Sequence, residues 1–210
     1  MKKIKTEIVR TLRKMNDLNL IIGSEGNISC KFGKKIFITP SGIETSKLHY
    51  NEISELDLSG NILNKKKPSS EVLMHLSIYK NRPNIDCIVH CHSVWASILS
   101  CQRIRIPAFH YMVAEFGGRD IKCAKYATFG SSRLAKNVLN VLKDREGCLL
   151  ANHGQLTVGK SLDIAFHLAI ALEKISKQFF FCNLSSQTKY LENSEMDKVL
   201  KLFENYKSRH

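Results

Sequence analysis

Nowhere does the chain carry an apolar run approaching the roughly 18 residues that a membrane-spanning helix requires, so no membrane span is expected. Lys2, Lys3 and Lys5 are not followed by the continuous apolar stretch of a secretory leader. Ile8, Leu12, Met15 and Leu18 instead recur near helical spacing, and a soluble, cytoplasmic protein is the expectation. Linkers rich in Gly, Ser or Pro are absent, as are internal repeats, and the four prolines (Pro40, Pro68, Pro83, Pro107) sit at apparent segment boundaries. Residues 1–210 therefore read as one domain, long enough at 43% hydrophobic residues to bury a sizeable core. There is no CxxC. Seven cysteines, several inside apolar strands, suit small buried hydrophobes in a reducing compartment better than a disulfide framework. A basic arm is also missing: the formal net charge is +13, yet the densest runs are only Lys34-Lys35 and Lys65-Lys66-Lys67. No aromatic-interleaved strand accompanies them, so no nucleic acid partner is expected. A diffuse positive field still favours an anionic small substrate, less so in salt.

Set against these absences is one dense signal, Ile85-Asp86-Cys87-Ile88-Val89-His90-Cys91-His92. In an extended segment side chains alternate between faces, so His90 and His92 point one way while Cys87, Val89 and Cys91 pack on the other. A third histidine ends another apolar run, Leu149-Leu150-Ala151-Asn152-His153-Gly154, beside a glycine where the backbone can turn sharply. Three imidazoles make a metal shell with one position open for water or substrate, which is what catalysis by a metal needs. The competing account makes each ring an ordinary polar residue at a strand end.

Periodicity predicts helices over 3–19, 69–81, 131–144, 161–182 and 195–207, and strands over 27–31, 35–39, 53–57, 85–92, 147–152 and 156–158. The return of the chain at Gly33 implies a hairpin, hence antiparallel pairing in a central sheet covered by helices. Three polar segments have the composition of a phosphate cradle: Gly23-Ser24-Glu25-Gly26-Asn27-Ile28-Ser29, Thr39-Pro40-Ser41-Gly42 and Pro68-Ser69-Ser70-Glu71. Small residues let backbone N–H groups approach an anion, and the hydroxyls add donors. Each also reads as plain structure: a glycine turn, a proline turn, and a helix start capped by Ser69 with Glu71 set against the dipole.

With those segments in order, and with Ile106-Pro107-Ala108-Phe109-His110-Tyr111-Met112 and Tyr126-Ala127-Thr128-Phe129-Gly130 between them, the chain resembles the class II aldolase/adducin family, most closely its L-fuculose-phosphate aldolase arm. The resemblance spans nearly the full length. It implies an α/β fold, a three-layer α/β/α arrangement with a central, mainly antiparallel sheet. It also implies a lyase of carbohydrate metabolism that cleaves a ketose 1-phosphate, such as L-fuculose 1-phosphate, to dihydroxyacetone phosphate and an aldehyde such as L-lactaldehyde. By the same resemblance His90, His92 and His153 are the ligands of one Zn2+ per subunit, another divalent ion being the alternative. Glu71 is the catalytic carboxylate and Tyr111 a phenol near the aldehyde oxygen. Asn27, Ser41, Gly42, Ser69 and Ser70 hold the phosphate, and Phe129, Phe203 and Tyr206 surround the aldehyde. A homotetramer with sites at subunit boundaries is implied as well.

Breaking a carbon–carbon bond beside a ketone leaves negative charge on the carbonyl and hydroxyl oxygens, and a Lewis-acid cation lowers that barrier. Burial of Glu71 and a neighbouring cation act on its proton affinity in opposite senses. Two departures from the family pattern, Glu115 and Arg119, place charge where the choice of aldehyde is expected to be affected. His75, one helical turn beyond Glu71, and His110 are further candidates near the site. Alternatives at this stage are a 5-deoxyribulose 1-phosphate aldolase, a sugar-phosphate epimerase or dehydratase with the same machinery, and a catalytically silent adducin-like scaffold. The last does not require the histidines that this chain retains.

Overall fold

The computed structural model describes residues 1–185 and 187–207. The predicted hairpin forms from β1 (Asn27–Phe32) and β2 (Lys35–Ile38), with Phe32 opposite Lys35, and β3 (Ser54–Asp57) adds to its outer edge. On the other side β1 pairs antiparallel with β4 (Cys87–Cys91), which pairs in turn with β7 (Gly154–Gly159). β6 (Gly147–Leu150) and the two-residue β5 (Cys123–Ala124) complete a seven-stranded sheet in the order β3-β2-β1-β4-β7-β6-β5. Only the β5–β6 pair is parallel, so the sheet is mainly antiparallel, as expected.

Helices cover both faces because the strands alternate two apolar sets. Cys30, Cys87, Val89 and Cys91 face α1 (Lys2–Asp17) and the start of α5 (Leu162–Leu184), where Ile8, Leu12, Met15, Ala165 and Ala169 meet them. Ile36, Ile88, Cys148, Leu150 and Leu156 point the opposite way, toward α2 (Val72–Asn81) and α4 (Ser132–Leu142). Complete burial of Ile8 and Met15 anchors α1; each such side chain contributes roughly 1.5–3 kcal/mol. A third cluster joins α3 (Val94–Gln102), α6 (Asn193–Lys207) and the rest of α5 around Phe116, Leu149 and Leu172. All seven cysteines are free thiols, and no helix among the described residues is long and apolar enough to cross a membrane.

Local chemistry sets most boundaries near their expected positions. Ser161 accepts from the Ile164 amide and Ser131 from the Leu134 amide, starting α5 and α4 with side-chain caps. α2 starts three residues later than predicted because Ser69 accepts from the Glu71 amide in the turn that precedes it. The unpredicted α-helix is α3. Its N-terminus is capped from afar, since the Glu173 carboxylate on α5 accepts from the Ser93 hydroxyl and from the amides of Trp95 and Ala96.

Candidate metal centre and substrate cavity

His90 lies mid-sheet, opposite Asn27 on β1 and Leu156 on β7, and is wholly buried. Alternation along β4 works as predicted, with His90 on the α2 side and Cys91 on the other. His92 follows at the end of the strand. His153 arrives from the turn between β6 and β7, where the sharp bend falls on Asn152, at φ 53°, and not on the glycine after it. Gly154 serves close approach instead. A Cβ there would collide with the Cys91 carbonyl oxygen and stand 3.1 Å from the His92 Cα. The absent side chain is therefore what lets the His153 turn close onto the end of β4.

The three rings converge, with centroids 5.0 Å apart for His90 and His92 and 4.8 Å apart for the other two pairs. Glu71, at the turn leading into α2, completes the group, and one ligand atom from each of the four residues lies within 4.8 Å of all the others. The backbone selects the ligand atom of His90: Nδ1 donates to the Gln155 carbonyl at 2.7 Å, which leaves the Nε2 lone pair facing the cluster. The Nε2 atoms of His90 and His92 are 3.2 Å apart. Two nitrogens each about 2.0–2.1 Å from a tetrahedral ion stand roughly 3.3 Å apart, so this spacing fits a shared cation. Glu71 Oε2 is 2.9 Å from His90 Nε2, and Oε1, 3.5 Å from His153 Nε2, is buried without a hydrogen-bond donor. A buried carboxylate oxygen with no donor, among three converging imidazoles, is a donor set that fits a divalent cation.

Electrostatics in the cluster are mutual. Burial pushes the Glu71 carboxyl up, but His90 and His153 outweigh it and hold the group well below the usual carboxylate range. For His153, burial and the neighbouring His90 bring the ring down to about 4 against the opposing pull of Glu71, and His92 is lowered for the same reasons. Behind Glu71, the Asn27 amide nitrogen donates to Oε2 at 3.1 Å. Gly26, at φ 68°, lets this segment pass 2.7 Å from the His90 carbonyl oxygen at the point a Cβ would occupy.

In front of the cluster opens a cavity of about 380 Å³. Its wall contains Asn27, Ser41, Gly42, Ser69 and Ser70 together with Glu71, His92 and His153, so the three polar segments do meet at the candidate metal centre. Two of the loops are zipped together, Ser41 N–H donating to the Lys67 carbonyl and Ser69 N–H to the Thr39 carbonyl. Phe129, 65% exposed, and Tyr126 line the same cavity; Tyr126 was not among the predicted site residues.

Other expected site residues lie elsewhere in the chain. Tyr111 is half-exposed, stacks on His110 with ring centroids 4.9 Å apart, and is not part of this cavity wall. Phe203 packs against the third core cluster, and the side chain of Tyr206 lies outside the described residues. The two charged departures also turn away from the cavity: Glu115 pairs with His167 at 2.9 Å and Arg119 with Asp197 at 2.7 Å. His75 does not merely neighbour Glu71. It belongs to a buried hydrogen-bonded group with Asn27, Ser29 and Tyr79, tertiary contacts that no spacing in the sequence announces.

Comparison with known proteins agrees with this geometry. Residues 6–180 match the family model described as the class II aldolase and adducin N-terminal domain. A 5-methylthioribulose-1-phosphate/5-deoxyribulose-1-phosphate aldolase of Rhodospirillum rubrum is 37% identical over 95% of this chain and 90% of its own. An L-fuculose phosphate aldolase of Escherichia coli is 35% identical over 97% of this chain and 95% of its own. A solved structure of an L-fuculose 1-phosphate aldolase superposes with a TM-score of 0.93 at 34% identity, covering 96% of each chain. The chain belongs to the class II aldolase and adducin family.

Proposed function

We propose that the chain is a zinc-dependent aldolase that cleaves a ketose 1-phosphate between C3 and C4, releasing dihydroxyacetone phosphate and a short aldehyde. The observation that carries this reading is the convergence of His90, His92, His153 and Glu71 at the base of a cavity walled by all three small-residue loops. L-fuculose 1-phosphate and 5-deoxyribulose 1-phosphate, substrates that the names of the relatives specify, share the phosphorylated ketone end and finish in a methyl group. A terminal methyl suits the aromatic wall of Tyr126 and Phe129.

Bound by the three imidazoles, the cation supplies Lewis-acid stabilisation of the charge left on the ketone end as the bond breaks. The protein handles anchoring and protons. Among the described residues the amides of Gly42 and Ser70 make no hydrogen bond within the chain, and with the hydroxyls of Ser41, Ser69 and Ser70 and the Asn27 side chain they give the phosphate neutral donors. During cleavage C3 gains a proton and the C4 hydroxyl loses one. Glu71 serves C3; in the reverse condensation it removes that proton, for which its ionised state is the right one. Tyr111 serves the C4 oxygen. Its exposure outside its own chain's cavity supports a homotetramer in which Tyr111, Phe203 and Tyr206 complete the aldehyde end of a neighbouring site.

The test is an assay coupled to dihydroxyacetone phosphate over a panel of ketose 1-phosphates, with and without chelator. Release that chelator abolishes and zinc restores is the expected result. A rearranged or dehydrated sugar phosphate without free dihydroxyacetone phosphate would replace this reading by an epimerase or dehydratase.

A further inference from the structure

Behind the metal centre a single file of hydrogen bonds leads from α2 and β1 to Glu71, and the reaction proposed above leaves most of it without a role. Tyr79 OH lies 2.7 Å from Ser29 Oγ, which lies 2.7 Å from His75 Nδ1. His75 Nε2 lies 2.6 Å from Asn27 Oδ1, and Asn27 Nδ2 donates to Glu71 Oε2 at 3.1 Å. His75 and Ser29 are wholly buried, Tyr79 is 3% exposed and Asn27 4%, so water has little access to the file.

The end of the file fixes the sense of every proton in it. A carboxylate only accepts, so the Asn27 amide must present its NH2 to Glu71 and its oxygen to His75. That oxygen also only accepts, so His75 must carry its proton on Nε2. The opposite tautomer would set two lone pairs 2.6 Å apart, or would require the amide to flip and turn its oxygen on the carboxylate. Nδ1 is then an acceptor, Ser29 gives it its one hydroxyl proton, and Ser29 in turn accepts from Tyr79. Tyr79 has a weaker second acceptor in the Asp86 carbonyl at 3.4 Å. Burial and the nearby His90 lower the His75 ring to about 3, which keeps it neutral at physiological pH, as this arrangement requires.

We propose that His75 is a positioning residue: locked as the Nε2–H tautomer by Ser29 and Tyr79, it orients the Asn27 amide, which sets the rotamer of the Glu71 carboxylate facing the metal and substrate. The proposal rests on the reading of Glu71 as the proton-handling group. His75 hydrogen-bonds to Ser29 and Asn27 and does not line the cavity, so its action passes through Asn27. The device has a physical rationale. A carboxylate in contact with two candidate metal ligands has several rotamers open to it, and one N–H aimed by a buried, fully satisfied network selects among them.

The tautomer can be read directly. In nitrogen-15 spectra of the full chain, both zinc-loaded and metal-free, with the His75 signals assigned by their loss in His75→Gln, Nε2 should be of the protonated type and Nδ1 of the unprotonated type. Two variants then separate positioning from packing. Gln at 75 retains one donor and one acceptor, whereas Leu retains neither. His75→Leu should lower kcat roughly 10- to 100-fold, and His75→Gln should recover most of it. A proton on Nδ1, or equal losses in the two variants, would overturn the proposal. The nitrogen-15 spectrum needs no substrate, so it decides the tautomer even if the ketose 1-phosphate assignment fails.

Discussion

Gly154→Ala tests how the fold builds the centre, because the glycine touches the site only through backbone. The added Cβ would overlap the Cys91 carbonyl oxygen and press on the His92 Cα at 3.1 Å, so the turn carrying His153 must back away from the end of β4. Overpacking of this kind costs roughly 1–3 kcal/mol. If the strain is relieved by moving His153 off the cluster, it appears as a metal affinity weakened by roughly 5- to 150-fold, since each 1.4 kcal/mol is a factor of ten. If it is instead held in place, it appears as a Tm lower by about 2–4 °C per kcal/mol for a chain of this size. Competition with a chromophoric chelator measures the first and calorimetry of the metal-free protein the second. Gly33→Ala is the control: it adds a Cβ in open space at the β1–β2 turn, where the strain comes from a positive φ of 59° alone, and should lower Tm without changing metal affinity. Gly154→Ala with wild-type metal affinity and wild-type Tm would refute the argument that this contact sets the His153 position.

Three other outcomes follow from the same geometry. Glu71→Gln should retain the metal, held by the three imidazoles, while turnover falls roughly 10²- to 10⁴-fold; metal analysis alongside the coupled assay checks it, and parallel loss of both would make Glu71 a structural ligand. Ser41→Ala and Ser70→Ala each remove a donor to a charged group, worth roughly 1.5–3 kcal/mol, so kcat/KM for the phosphorylated ketose should fall about 10- to 100-fold at unchanged zinc content. His75 also leaves a mark on acid stability. The unfolded chain protonates this ring near its ordinary value of about 6.5, the folded chain only near 3, so the contribution is complete above the first value and lost on acidification. Between pH 6 and 4 the metal-free wild type should therefore lose stability more steeply than His75→Gln, by about 1.4 kcal/mol per pH unit; parallel slopes in urea titrations would contradict this.

What could be read from the sequence is what local spacing encodes. The period of two in Cys87–His92 placed His90 on one face and the cysteines on the other, and the β1–β2 hairpin and all five predicted helices arose near their expected positions. α3 escaped notice because the group that caps it, Glu173, stands far along the chain on α5. β5 is two residues long, too short for any periodicity to register. The same limit applies to the placing of Glu115 and Arg119. Their charge is visible in the sequence, but the His167 and Asp197 partners that draw them from the cavity are supplied by α5 and α6. Within the site, the convergence of His90, His92 and His153 was legible because a His-x-His pair and a His-Gly pair restrict backbone geometry. The dual engagement of Asn27, by contrast, depends on the register of β1 against β4 and on the packing of α2.

The proposed chemistry requires three imidazoles from separate stretches to hold one cation on which cleavage depends. Its most direct measurement is a titration of the metal-free chain with zinc, scored at each point for bound ion and for dihydroxyacetone phosphate released from a ketose 1-phosphate. Both should rise together and saturate at one ion per chain, and His153→Ala should abolish the joint rise. Release at full rate with no ion bound, or tight uptake undiminished in His153→Ala, would contradict it.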